Sequence, residues 1–184
     1  MKQSSIFLLL LLCIGNSAFS QLKTPEQFLG YKVGTRFTPH WKIVSYFQHV
    51  AEQAPARMKL EQYGQTNEQR PLYISIISTE ENLKQLDFIR TNNLRLANLA
   101  SDRAMPQEQT PVLVWLSYNV HGNEASSSES AMMALYEFVN PANKQVQGWL
   151  KNTVIILDPC MNPDGRDRYV NWYNSMQGRQ YDAR

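Results

Sequence analysis

Three short runs of mostly apolar residues constrain the fold of this chain more than any other feature of its sequence. They span residues 72–77, 112–116 and 153–157, and none of them alternates regularly between apolar and polar side chains. A strand with this pattern is typical of a sheet that is covered on both faces. The runs therefore predict a sheet that needs other elements packed on its two sides.

Helical patterns separate these strands along the chain. Residues 39–54 place apolar side chains three and four positions apart, and residues 83–100 and 125–139 show related spacings. Thr38 and Pro39 are typical of a helix cap and the first helical residue that follows it. Strands that alternate with helices predict an α/β sheet with parallel members.

Two further segments fix the local connections. A strand candidate at 58–65 precedes the strand at 72–78, and the polar residues 66–71 between them predict a hairpin. Residues 162–165, Asn-Pro-Asp-Gly, predict a tight turn. After this turn we expect a polar and aromatic tail.

The first twenty residues have the pattern of a secretory signal peptide. Lys2 supplies a positive charge, residues 6–14 form a short apolar core, and residues 18–20, Ala-Phe-Ser, form a cleavage site before Gln21. The apolar core is too short to cross a bilayer, so we expect no membrane span. The sequence therefore predicts a secreted or periplasmic protein.

Composition excludes several classes of partner and scaffold. The 184 residues favour one domain. Lys and Arg number 18 against 16 Asp and Glu, and no basic patch stands out, which argues against a nucleic-acid partner. Removal of the leader removes Cys13 and leaves Cys160, which we expect to be a buried small hydrophobic residue at a strand end.

A histidine and a glutamate three positions apart can bind one metal ion, because they share a helix face or converge from a tight turn. The spacing occurs twice, as His49 with Glu52 and as His121 with Glu124. The first pair lies within a helical pattern, and we interpret it as a solvated pair. The second follows the most apolar strand, at the sheet edge where α/β proteins bind ligands, so metal binding and a structural role remain alternatives. We expect His40 to be exposed at a helix start.

Two motifs resemble those of the carboxypeptidase A-like zinc metallopeptidases. Residues 120–125, Val-His-Gly-Asn-Glu-Ala, resemble the first zinc motif of that family. Residues 157–165, Leu-Asp-Pro-Cys-Met-Asn-Pro-Asp-Gly, resemble its Asn-Pro-Asp-Gly turn. Residues 28–31 and 37–40 are similar to the start of secreted bacterial members. The two motifs occur in the family's order, each after a strand, which makes them more specific together than alone.

The resemblance implies a fold, a cofactor and an activity. The implied fold is a mixed, largely parallel sheet with helices on both faces. The implied cofactor is Zn²⁺, with His121 and Glu124 as two of its ligands. The implied activity is removal of C-terminal residues from peptide or protein substrates. In the family a third ligand, a substrate-binding arginine and a general-base glutamate come later in the sequence, so we expect these groups beyond Arg184.

The same resemblance implies how the chain is organised. Residues 1–20 are the signal peptide, 21–38 a lead-in segment, and 39–184 the N-terminal part of the catalytic domain, with the C-terminal part of its sheet missing. A catalytic zinc normally has three protein ligands, so we expect such a fragment to be inactive alone. Asn123 departs from several family members, which carry arginine there.

Two other functions fit the same motifs. Succinylglutamate desuccinylase and aspartoacylase-like zinc amidohydrolases have a similar His-Gly-Asn-Glu segment. A non-catalytic binding module of the same fold would also lack the later residues. The signal peptide, and the turn at 162–165 followed by Arg166-Asp167-Arg168, favour the peptidase.

The leader generates the first testable prediction. Export should remove residues 1–20, because the charged, apolar and small-residue regions occur in the order that a signal peptidase requires. N-terminal sequencing of the exported protein should give Gln21 as the first residue. Exported protein that still begins at Met1 would contradict this assignment.

Overall fold

The computed structural model describes residues 22–100 and 110–176, which form a mixed sheet with helices on both of its faces. The strands are β1 (Met58–Gln65), β2 (Pro71–Ile77), β3 (Val112–Ser117) and β4 (Thr153–Asp158). The helices are α1 (Pro25–Leu29), α2 (His40–Gln53), α3 (Glu80–Lys84), α4 (Leu86–Leu96), α5 (Ala125–Val139), α6 (Lys144–Trp149) and α7 (Pro163–Met176). The signal peptide assigned to residues 1–20 lies outside the described residues.

The sheet has the strand order β1-β2-β4-β3 and is mixed, as predicted. β3 and β4 pair in parallel, from Val112 opposite Thr153 to Ser117 opposite Asp158. β1 with β2 and β2 with β4 pair antiparallel, so the expectation of a largely parallel sheet does not hold for the described strands. For β1 and β2 the physical reason is the short 66–70 connection, which permits the predicted hairpin but not a parallel crossover.

The hydrophobic core lies between one face of the sheet and helices α2 and α5. The spacing that predicted these helices also identified the side chains that they bury. Core side chains at or near zero exposure include Ile43, Phe47, Val50, Ile77, Met132, Leu135 and Leu157. Helices α3 and α4 lie on the opposite face, beside Ile76 and Ile156.

The side chains of strand β3 are more exposed than the sequence pattern predicts. Its first four side chains, Val112, Leu113, Val114 and Trp115, are 37–60% exposed. It is the last strand of the described sheet and pairs only with β4 there. An apolar run predicts a strand, but it does not predict which helices or strands bury its side chains, because those elements come from other parts of the chain.

The start of α2 also differs from expectation. Pro39 is the N-cap residue and the helix has no side-chain cap, because the Thr38 hydroxyl donates instead to Glu129 Oε2 at 2.8 Å. His40 is only 4% exposed, so the expectation that it lies at the surface was wrong. Its backbone N–H donates to Asp167 of α7 at 3.2 Å, so the start of α2 lies against that helix.

Two helical boundaries were not visible in the sequence pattern. The single helix expected at 83–100 is divided at Gln85 into α3 and α4. The expected turn at 162–165 instead begins α7. Asn162 Oδ1 accepts the Gly165 N–H at 2.9 Å, and Pro163 occupies the first helical position, so this turn is a capped helix start.

The burial of His40 gives the second prediction. Burial lowers the pKa of the His40 imidazole, an effect that Arg166 and Arg70 reinforce and that Asp167 opposes. An imidazole whose pKa is lower in the folded state takes up protons more readily when unfolded. The free energy of unfolding should therefore fall as pH decreases below about 6.5.

Substitution of His40 separates this effect from other titrations. In urea unfolding of the full-length protein, His40→Phe should flatten the dependence of the unfolding free energy on pH between about 7 and 5. A partial slope should remain, because burial also lowers the pKa of His49. An unchanged slope in His40→Phe would contradict the assignment, whatever the variant's absolute stability.

Candidate metal site

The candidate site is built from the two loops that leave the same edge of the sheet. Because β3 and β4 are parallel and in register, the chain after Ser117 runs beside the chain after Asp158. Backbone hydrogen bonds continue this pairing beyond the strands. The Met161 N–H donates to the Tyr118 carbonyl at 2.9 Å, and the Asn162 N–H donates to the Asn119 carbonyl at 3.1 Å.

The two predicted motifs contact each other through their glycines. A Cβ placed on Gly122 would lie 2.3 Å from the Gly165 carbonyl oxygen, which is far inside van der Waals contact. Asn162 strengthens this contact because its Nδ2 donates to the Val120 carbonyl at 3.2 Å. The structure therefore gives the reason for glycine at position 122: the backbone of α7 occupies the space that a side chain would need.

His121 and Glu124 converge within the first loop. His121 Nδ1 lies 2.7 Å from Glu124 Oε1, and the His121 backbone N–H donates to Glu124 Oε2 at 3.0 Å. These hydrogen bonds from His121 lower the pKa of the Glu124 carboxyl. The two side chains are 74% and 48% exposed, so the pair faces solvent and is accessible to an ion.

The donor atoms have the chemistry of a zinc site. Imidazole nitrogen and carboxylate oxygen bind zinc at about 2.0–2.2 Å, so two ligands of a tetrahedral ion lie about 3.3 Å apart. The observed separation of 2.7 Å requires only a small opening of the two side chains. Within residues 22–100 and 110–176, no cluster of three or more His, Cys, Asp or Glu side chains is placed to hold a metal ion.

The other sequence candidates lie apart from this arrangement. His49 is half-buried, its Nε2 accepts the Lys23 N–H at 3.3 Å, and its ring packs 5.2 Å from that of Phe28. Cys160 is 2% exposed, as predicted, and burial raises the pKa of its thiol to about 11. A thiol with this pKa is protonated near neutral pH, so Cys160 is a packing residue.

Three buried ionisable groups beside the loops were not expected from the sequence. Arg166 and Glu129 form an ion pair at 2.9 Å, with side chains 0% and 5% exposed. Asp158 is also fully buried, and it accepts a hydrogen bond from Tyr63 Oη at 2.6 Å. Glu129 could have been noticed, because it interrupts the apolar stripe of α5 between Ala125 and Met132.

No comparable signal marked Arg166. The sequence after residue 165 is polar and aromatic, and it shows no apolar stripe in which a charged residue would stand out. Only the packing of α7 against the two loops identifies this guanidinium as buried.

The fold and the paired loops define a class of protein: an α/β protein with a candidate metal-binding loop at the carboxyl end of a parallel strand. Residues 43–183 match the model of the zinc carboxypeptidase family. This match covers more than half of the chain, and the chain therefore belongs to the zinc carboxypeptidase family.

Solved structures show the same fold. The structure of thrombin-activatable fibrinolysis inhibitor aligns with a TM-score of 0.52 and 17% identity, over 84% of this chain and 31% of that one. A metallo-carboxypeptidase from Burkholderia cenocepacia aligns with a TM-score of 0.50 and 15% identity, over 71% of this chain and 29% of that one. The chain thus spans about a third of the length of these proteins. No curated protein matches the chain.

The glycine contact gives the third prediction. Gly122→Ala should lower the free energy of unfolding by about 1–3 kcal/mol, because the added methyl group forces the two loops apart. Gly148→Ala is the matched control: a Cβ there meets nothing within 4 Å, and the residue lies in α6.

Alanine favours helix over glycine, so the control should be neutral or slightly stabilising. Urea unfolding of both variants measures the difference. Equal stability of the two variants would contradict the close approach of Gly122 and Gly165.

Proposed function

We propose that His121 and Glu124 are two of the protein ligands of a zinc ion, and that the full-length protein is a metallocarboxypeptidase that hydrolyses C-terminal peptide bonds. The observation that carries this proposal is the convergence of Nδ1 and Oε1 at 2.7 Å in an exposed loop of a zinc carboxypeptidase family member. The loop also lies at the carboxyl end of β3, where open α/β sheets bind ligands.

The protein would prepare these two ligands before any ion binds. The His121 N–H holds Glu124 Oε2, which leaves Oε1 directed toward the ring. Before an ion binds, the Nδ1 proton lies between Nδ1 and Glu124 Oε1. A ligating Nδ1 must carry no proton, so on binding the neutral imidazole would adopt the tautomer with its proton on Nε2. The carboxylate is ionised near neutral pH, as an ordinary glutamate is, and hydrogen bonds from His121 lower its pKa further.

Zinc, when bound, supplies a Lewis acid that activates an amide carbonyl and water for hydrolysis. Within the described chain, the donors offered to it are the neutral imidazole of His121 and the carboxylate of Glu124. We place the third ligand, the general base and the substrate-binding arginine outside the described residues. The described residues offer no third His, Cys, Asp or Glu at this point.

The proposed substrate is a peptide or protein that the enzyme meets outside the cytoplasm. The signal-peptide pattern of residues 1–20 supports export of the protein. In the part of the chain that the structure describes, every helix is too short or too polar to cross a membrane. The loop's exposure is compatible with a substrate that approaches from solvent.

The fourth prediction compares the two histidines that lie three residues before a glutamate, His121 and His49. In the full-length protein, His121→Ala should abolish hydrolysis of a blocked dipeptide and reduce bound zinc, because it removes a metal ligand. His49→Ala should leave both within a few-fold of wild type, since its Nε2 already accepts the Lys23 N–H.

Zinc content after dialysis and initial rates of hydrolysis measure the two effects. Thermal unfolding of both variants checks that each is folded under the assay conditions. Full zinc content in folded His121→Ala, together with loss of zinc in His49→Ala, would reverse the assignment.

A further inference from the structure

The buried guanidinium of Arg166 contacts three separate parts of the chain. Its Nη1 donates to Asn119 Oδ1 at 2.7 Å and to the Ala125 carbonyl. Its Nη2 donates to the Thr38 carbonyl at 2.8 Å and to Glu129 Oε1 at 2.9 Å. No part of the side chain is exposed, so these acceptors and not water satisfy its terminal nitrogens.

Two of these acceptors flank the proposed ligands His121 and Glu124 along the chain. Asn119 lies two residues before His121, and Ala125 directly follows Glu124. One nitrogen of Arg166 therefore joins the chain on both sides of the two proposed ligands. A guanidinium can donate in several fixed directions at once, which a lysine ammonium in the same place cannot reproduce.

Asn119 extends this contact to His121 itself. Arg166 can only donate hydrogen bonds, so the amide atom facing it must be the oxygen. Asn119 Nδ2 is then directed to the His121 carbonyl, at 2.7 Å. Asn119 adopts a left-handed backbone conformation, with φ of 55°, and is 2% exposed.

The same cation is anchored from the opposite side. Glu129 accepts the Arg166 Nη2 hydrogen and also both the N–H and the hydroxyl of Thr38, at 2.6 and 2.8 Å. This pairing compensates the burial of the charge and fixes the guanidinium plane. The lead-in residue Thr38, helix α5 and helix α7 thus hold one cation against the loop.

We propose that Arg166 is a positioning residue that holds His121 and Glu124 in ligating geometry through Asn119 and the Ala125 carbonyl. This inference rests on the proposed zinc site and adds to it the group that preorganises the loop. Residues that hydrogen-bond to metal-ligating groups commonly change metal affinity about 10–100-fold when they are replaced.

Arg166→Lys in the full-length protein tests the proposal. It keeps the buried charge but cannot donate to the four acceptors together, so the dissociation constant for zinc should rise about 10–100-fold. Arg168→Lys is the matched control, because Arg168 lies on the same helix with a side chain 74% exposed. Its zinc affinity should equal that of wild type, measured by competition with a chromophoric chelator.

Asn119→Asp provides a second variant with nearly the same shape. It keeps the oxygen that accepts from Arg166 but lacks the N–H that donates to the His121 carbonyl. Zinc affinity should fall in the same direction, and the visible spectrum of the cobalt-substituted protein should shift relative to wild type. If Arg166→Lys does not fold, the result from Asn119→Asp decides.

The outcomes separate this inference from the proposed function. If wild type and His121→Ala bind zinc equally weakly, the proposed zinc site fails. If wild type binds zinc through His121, but folded Arg166→Lys and Asn119→Asp bind it within two-fold of wild type, the positioning role is overturned. A lower unfolding temperature with unchanged affinity would then assign Arg166 to stability alone.

Discussion

The parallel pairing of β3 with β4 is the interaction on which the candidate site depends. It places Ser117 opposite Asp158, so that both loops begin at the same level and on the same edge of the sheet. The residues that connect the two loops, Val120 and Gly122 in one and Asn162 and Gly165 in the other, come within a few residues of the strand ends. A slip of register would separate the Asn162 amide from Val120 and would remove the contact between Gly122 and Gly165.

A buried framework holds the exposed pair of proposed ligands. The framework includes the Arg166–Glu129 ion pair, whose side chains are 0% and 5% exposed. Removal of one partner from such a pair typically costs about 3–5 kcal/mol, a large part of the usual stability of a domain. His121 and Glu124 are by contrast 74% and 48% exposed. This separation leaves the proposed ligands accessible, while buried hydrogen bonds hold the backbone that carries them.

The sequence predicted elements and local motifs well where the determining interactions are local. The hairpin, the core stripe of α2, helix α5 and the convergence of His121 with Glu124 all depend on residues close in sequence. The start of α2 was placed incorrectly because Thr38 binds Glu129, a residue 91 positions away, in preference to the helix that it precedes. The division of the 83–100 pattern at Gln85 was also not visible in the periodicity of side chains.

The sequence by itself determined the strands, the main helices and the two motifs, because each follows from side-chain periodicity or from residue types at short spacing. Only the tertiary structure decided the strand order, the burial of His40 and the exposure of β3. It also decided why Gly122 is glycine and why Arg166 is buried. These features depend on contacts between residues that the chain separates by tens of positions, such as Gly122 with Gly165 and Arg166 with Thr38. Such contacts produce no periodic pattern in a single sequence, because they depend on how the helices and strands pack together.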